Sequence, residues 1–266
     1  YCRDCRMTVC YESGRPIPSN ALHAIVYLSK VGVLSSQDFI RFFRENKTTR
    51  WLYRQWESLE KHRLIERHPA QALQKKWVLG VKGKAIVEKM GLKPVFSVPA
   101  HFVDHDEFVG RSLLAIQNQN LIRQFETERE MKSKPQNPLR VEGGDGKVKY
   151  PDACFQIQVQ RKLKTVALEY ERRGKSSSRY QSILWSYANL STLSLVLFVS
   201  ESEVIESRIR SALRKVAQAE LLDRVGFARA SDWARVPQEA SVSMERGKFR
   251  LVDICEPFDL KPASIH

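Results

Sequence analysis

The run Val166-Ala167-Leu168-Glu169-Tyr170-Glu171 constrains the fold of this chain more than any other stretch. Three apolar residues lead straight into a Glu-x-Glu. A strand has a side-chain period of two, so Glu169 and Glu171 share one face while Leu168 and Tyr170 point the other way. Carboxylates at the end of a buried strand need a partner or a metal. Upstream, Tyr150-Pro151-Asp152-Ala153 leads into another strand, and a basic, turn-like interval separates the two. If they close as a hairpin, Asp152 joins the glutamates and three acidic side chains collect beside Lys175. Such a set suits a hard divalent cation and a phosphate. The competing reading is a Glu-x-Glu on the solvent face of an edge strand, with Arg172, Arg173 and Lys175 as surface ion-pair partners of little weight.

Periodicity extends the pattern on both sides of this pair. Residues 125–131 read as a first strand, 132–147 as a Pro- and Gly-rich loop, and 150–160 and 165–171 as the next two strands. A helix over 176–190 turns Ile183, Leu184, Tyr187 and Leu190 inward. A fourth strand follows at 193–199, then a helix over 202–219 carrying Ile205, Ile209, Leu213 and Val216. Residues 227–233 and 249–254 suggest further strands. Asp104-His105-Asp106-Glu107 opens a helix ahead of the whole set, and acids in a first turn also suit a helix N-terminus.

The first third has a different rhythm. Ser19 or Asn20 can cap a helix that ends near Gly32, Ser35 or Ser36 a second, and Thr48 or Thr49 a third with Trp51, Leu52, Trp56 and Leu59 at helical spacing. Leu64 to Arg67 and Trp77 to Leu79 then read as two strands around a polar tip. Helix, helix, helix and a two-stranded wing is a winged helix-turn-helix, in which the last helix lies in the major groove. Arg50, Arg54 and Gln55 are the candidates for base and phosphate contact, and Lys75 and Lys76 those for backbone contact from the wing. A protein-binding or dimerisation role for this region is the other reading.

The order and spacing of Pro151-Asp152-Ala153, Glu169-Tyr170-Glu171, Lys175-Ser176 and Arg179-Tyr180, with His105-Asp106 upstream, resemble the plasmid replication-relaxation family and its MobC-type relaxases. More broadly they resemble the PD-(D/E)xK nuclease fold, whose core runs helix, three strands, helix, strand, helix. The similarity spans about residues 20 to 218. It implies an α/β (α+β) chain with an N-terminal segment at 1–18, a winged helix over 19–98 and a restriction-endonuclease-like domain over 104–266. It further implies a metal-dependent nickase acting on double-stranded plasmid DNA at a transfer origin, with a type IV coupling protein as partner. Asp152, Glu169 and Glu171 would then hold Mg2+ or Mn2+, Glu171 serving alternatively as general base. Lys175 would neutralise the developing charge and Arg179 would hold a neighbouring phosphate. His105 matches a His-Asp pair of the family. Glu171 departs from the general pattern, standing where a Lys is usual. Two alternatives follow: a DNA-binding replication or transcription regulator without catalysis, and a restriction-type enzyme cutting both strands.

Composition agrees with a polyanionic partner. The net charge is +14, and the first 98 residues hold 18 Lys and Arg against 8 Asp and Glu, so most of the excess lies there. No uncharged run reaches the length of a membrane span, and a bacterial cytoplasm is the expected home. No phosphate-binding Gly loop is present, which disfavours an ATPase. Cys2, Cys5 and Cys10 with His23 leave two readings open, a zinc site or reduced thiols. Tyr170, Tyr180 and Tyr187 fall near the acidic cluster, where either core packing or a covalent intermediate would use them.

Overall fold

In the computed structural model, which describes residues 9–11, 14–44, 47–69, 75–94, 97–134, 136–142, 148–216 and 219–258, side-chain caps mark several helix starts. The chain mixes helices with a mixed sheet, and its described residues divide into two compact units, those up to 111 and those from 112 to 258. Cys2 and Cys5, and with them the zinc expectation, lie outside the described residues.

In the first unit α1 (Ser19–Val31) is followed by β1 (Leu34–Ser35), α2 (Ser36–Phe42), α3 (Thr49–Lys61), β2 (Ile65–Arg67), β3 (Lys76–Leu79) and α4 (Val81–Lys89). Ser35 caps α2 by accepting the Asp38 N–H at 3.1 Å, and Thr48 caps α3 by accepting that of Trp51 at 3.2 Å. The N-cap of α1 is Pro18, so Ser19 and Asn20 stand inside the helix. Asn20 is buried there and donates its amide to the Phe43 carbonyl at 3.3 Å. Gly32, at φ 84°, closes α1 in the left-handed region. The strands form an antiparallel sheet in the order β1-β3-β2, with Leu34 opposite Trp77 and Ile65 opposite Leu79. Phe39 meets Trp56 at 4.8 Å between ring centroids, and Trp77 meets Trp56 edge-on at 5.3 Å.

A short 3-10 turn, Ala100–Phe102, runs into α5 (Val103–Gln117), and the division between the units falls inside this helix. Ion pairs tie α5 back to α2 and β3. Arg111 meets Asp38 at 2.9 Å and Glu107 at 3.2 Å, while Lys76 meets Glu107 at 2.8 Å and Asp104 at 2.5 Å.

The second unit holds a seven-stranded sheet. Its elements are β4 (Phe125–Thr127), α6 (Glu128–Lys132), β5 (Val141–Glu142), β6 (Val148–Lys149), β7 (Ala153–Val159), β8 (Lys162–Glu171) and α7 (Ser177–Ala188). There follow β9 (Leu195–Ser200), α8 (Glu203–Val216), α9 (Ala219–Leu222), β10 (Val225–Arg229), α10 (Ala230–Arg235), β11 (Val242–Met244), β12 (Gly247–Phe249) and α11 (Leu251–Ile254). The sheet order is β12-β11-β10-β9-β8-β7-β4, and β5 pairs with β6 in a separate ribbon. The pairs β4-β7 and β7-β8 are antiparallel, whereas β8-β9 and β9-β10 are parallel, with α7 and α8 as their crossovers. Tyr180, Ile183, Leu184 and Tyr187 of α7 and Ile205, Ile209 and Leu213 of α8 form one core with Cys154, Ala167, Val196 and Phe198 of the sheet.

Some expected strands end early. Thr127 and Glu130 form a reciprocal capping box, so the strand expected over 125–131 stops at Thr127 and a helix begins. The strand expected over 227–233 yields to α10, where Ala230, Ser231 and Asp232 suit a first helical turn better than a strand. The one over 249–254 yields to α11, with Arg250 and Asp253 paired at 2.7 Å. Among the described residues no helix is long and apolar enough to cross a membrane.

Candidate functional site

The site is laid out by two neighbouring strands and one helix. Register sets Ala153 of β7 opposite Leu168 of β8, which brings Asp152 beside Glu169. The Asp152 Oδ2 atom accepts the Tyr170 N–H at 2.7 Å, so the carboxylate is locked to the strand it faces. After Glu171 the chain turns through exposed Arg172, Arg173 and Gly174, and Ser176 caps α7 by accepting the Arg179 N–H at 3.2 Å. The helix thus starts at the carboxylate end of β8 and runs back along it.

Glu169 and Glu171 are each only 2% exposed. That removes the solvent-face reading of the Glu-x-Glu, although Lys175 is indeed the ion-pair partner of Glu171. Each glutamate sits in the same kind of nest. Lys149 Nζ lies 2.8 Å from Glu169 Oε1 and 2.9 Å from Oε2, and the Tyr187 hydroxyl donates to Oε1. Lys175 Nζ donates to Glu171 Oε1, and the Tyr180 hydroxyl approaches Oε2 at 3.4 Å. Each ammonium also stands over the ring of the tyrosine that serves its glutamate, at 5.9 Å for Lys149 and 5.7 Å for Lys175. The two nests follow from matching periods: the glutamates are two apart on a strand, the tyrosines seven apart on one helix face.

The electrostatics follow from burial. Glu169 is pushed up to about 7, first by desolvation and then by the charges of Asp152 and Glu171, against which Lys149 and Lys175 pull down. Burial pushes the Tyr180 phenol up to about 12 and the Tyr187 phenol well above its ordinary value. Neither is poised as a phenolate nucleophile. Tyr170 points elsewhere and donates to Glu201.

A cation would find suitable donors but a crowded place. Three carboxylates of hard oxygen type act on one another here, as the raised Glu169 attests. Their chemistry fits Mg2+ or Mn2+. As the side chains stand, however, no group of three His, Cys, Asp or Glu among the described residues converges to hold a metal, and both buried glutamates are already engaged by Lys and Tyr.

The remaining candidates divide. Arg179 is half-buried in the first turn of α7, while His105 belongs to the first unit, where Nδ1 lies 3.3 Å from Asp106 Oδ1. Arg50 and Arg54 are exposed on α3, and Lys75 is exposed at φ 50°. Gln55 is half-buried with its Oε1 enclosed, because it flanks the core residue Trp56, so its carbonyl is not presented outward as expected. Lys76 also departs from expectation: it is 7% exposed and committed to Asp104 and Glu107, not displayed on a wing. Burial lowers its pKa, but the hydrogen bonds and charges of those two acids outweigh it and hold the ammonium above the ordinary lysine value.

Sequence reasoning did not assign Lys149, the two tyrosine-to-glutamate hydrogen bonds, or Tyr53, which is 46% exposed on the same stripe of α3 as Arg50, Arg54 and Glu57. The i, i+7 spacing of Tyr180 and Tyr187 against the i, i+2 spacing of the glutamates was the available signal for the nests. Lys149 carried none, since its pairing depends on β6. Compared with known proteins, the chain matches no family model, no curated protein and no solved structure.

Proposed function

We propose that this chain is a metal-dependent DNA-nicking protein of relaxase type, acting at a plasmid transfer origin. The observation that carries the reading is the cluster of Asp152, Glu169 and Glu171 on adjacent strands, with Lys149 and Lys175 at its edge. The element order supports it: with α6 and the β5-β6 ribbon inserted between β4 and β7, the run α5, β4, β7 and β8 antiparallel, α7 and the parallel β9 follows the order of the PD-(D/E)xK core that the motifs resemble. In the first unit, α1, β1, α2, α3 and the antiparallel β2-β3 pair have the order of a winged helix, with Arg50 and Arg54 on its exposed third helix.

Asp152 and Glu169 would hold Mg2+ or Mn2+, with Glu171 completing the set. A cation bound there would supply positive charge at the scissile phosphate and at the leaving oxygen. Lys175, with its side chain 37% exposed, is placed to offer its ammonium to a phosphate oxygen as negative charge develops. Arg179, at the N-terminal end of α7, would hold a neighbouring phosphate, where the helix dipole also favours an anion. Double-stranded plasmid DNA is the substrate, and a type IV coupling protein is the further partner that the relaxase reading implies.

The test is incubation of supercoiled plasmid carrying its native transfer origin with Mg2+, Mn2+ or chelator. Open circles only in the presence of metal support the reading, linear product supports a restriction-type enzyme, and no cleavage under any metal contradicts both. A second reading, a DNA-binding regulator without catalysis, is favoured by one observation: Glu171 occupies the usual Lys position and both buried glutamates are neutralised by side chains of the protein itself. Retained DNA binding with no nicking would select it.

A further inference from the structure

We propose that Lys149 is the resident counter-ion of the carboxylate cluster, and that a divalent cation takes the place of its ammonium on Glu169. The inference rests on the nuclease reading above and concerns how that site is held when no cation is bound. Lys149 Nζ reaches both oxygens of Glu169, at 2.8 and 2.9 Å, so it covers the carboxylate edge that a hard cation would use. The lysine side chain is 19% exposed and that of Glu169 only 2%, so the lysine stands on the solvent side of the pair and can withdraw where the glutamate cannot.

The supporting backbone has the same asymmetry. Lys149 sits on β6, a two-residue strand paired only with β5, whereas Glu169 and the residue after Asp152 belong to the seven-stranded sheet. The ammonium can therefore shift without breaking the hydrogen bonds that place the carboxylates. Charge sets the direction of the exchange. A doubly charged ion meets the facing carboxylates of Asp152, Glu169 and Glu171 with twice the charge of a single ammonium. Lys175 donates to one oxygen of Glu171 from a more exposed position, so it offers the weaker competition.

The test is Mn2+ titration of the full chain, read by the electron paramagnetic resonance of the free ion, with thermal unfolding measured in parallel for wild type, Lys149→Met and Lys149→Arg. Lys149→Met is expected to bind Mn2+ roughly tenfold tighter than wild type, a gain of about 1.4 kcal/mol. In chelator it should lose on the order of 5 °C in Tm through the uncompensated Glu169, and Mn2+ should restore it. Lys149→Arg should bind Mn2+ more weakly than wild type, because a guanidinium grips both oxygens of a carboxylate at once. Mn2+ affinity that is unchanged or lower in Lys149→Met overturns the counter-ion role and leaves the cation site standing. No Mn2+ binding by the folded wild type removes the cation site itself and the proposal with it. If Lys149→Met does not fold, Lys149→Arg against wild type decides: weaker binding supports the exchange, and equal binding overturns it.

Discussion

In the first unit Lys76 and Arg111 meet Asp38, Asp104 and Glu107; in the second, Lys149 and Lys175 meet Glu169 and Glu171, with Asp152 beside them. Both clusters set two cations against three acids, yet they rest on different backbones. The first takes its acids from the opening turns of α2 and α5, where helix N-termini favour negative charge, and Asp104 has a side chain 43% exposed. The second takes its glutamates from the interior of a seven-stranded sheet, at 2% exposure, and burial first, then the charges of Asp152 and Glu171, push Glu169 up to about 7. Ions that bridge separate elements act as struts. Acids forced together on one buried strand repel one another, and a bound cation would relieve that repulsion.

The sharpest way to break this contrast is to remove one lysine from each cluster. Lys76→Met takes one of two cations from the enclosed Glu107, Arg111 staying at 3.2 Å, and should cost about 3 kcal/mol in denaturant unfolding. Lys175→Ala, which takes a half-exposed cation from the buried Glu171, should cost less, about 2 kcal/mol, yet lower the nicking rate at saturating metal by roughly a hundredfold. A larger stability loss from Lys175→Ala than from Lys76→Met would erase the distinction between strut and site.

The pH dependence of stability in chelator sharpens it further. Glu169 titrates near 7 when folded against an ordinary 4.5, so between those values the unfolded chain has released the proton that the native protein keeps. Stability from this group therefore falls as pH rises from about 4.5 through 7 and levels off above. Glu169→Gln should flatten that fall. A slope that survives the substitution would assign it to another group.

Smaller effects are expected on DNA. Lys75→Ala should weaken specific and random duplex alike and reduce the salt slope by about 1, whereas Lys76→Met should leave the slope unchanged. Arg54→Ala should cost about 1–3 kcal/mol of discrimination if it reads a base. Fluorescence anisotropy across a salt series separates these outcomes, and a slope change from the Lys76 variant would place that residue on the DNA after all.

Much of the architecture was legible because it is local. Ser35, Thr48 and Ser176 announce their helices, and the apolar run into Glu169 announces β8. Asp152 could be placed by register alone. What escaped depends on distance in the chain or on competing local signals. Lys149 lies twenty residues from Glu169 on a ribbon of two-residue strands, and Lys76 turns inward because acids nearly thirty residues later, on α5, need its charge. Thr127 and Glu130 spelled out the capping box of α6, but the apolar Phe125 and Met131 nearby suit a strand equally well.

If Asp152 and Glu169 form the proposed cation-dependent centre for cutting DNA, conversion of supercoiled plasmid to open circles in Mn2+ separates wild type from Asp152→Ala and Glu169→Ala. Wild type should nick, and each variant should fall by on the order of a thousandfold while its DNA affinity stays within about a factor of three. Nicking at the wild-type rate by either folded variant would contradict the claim and return the buried carboxylates to a purely structural role.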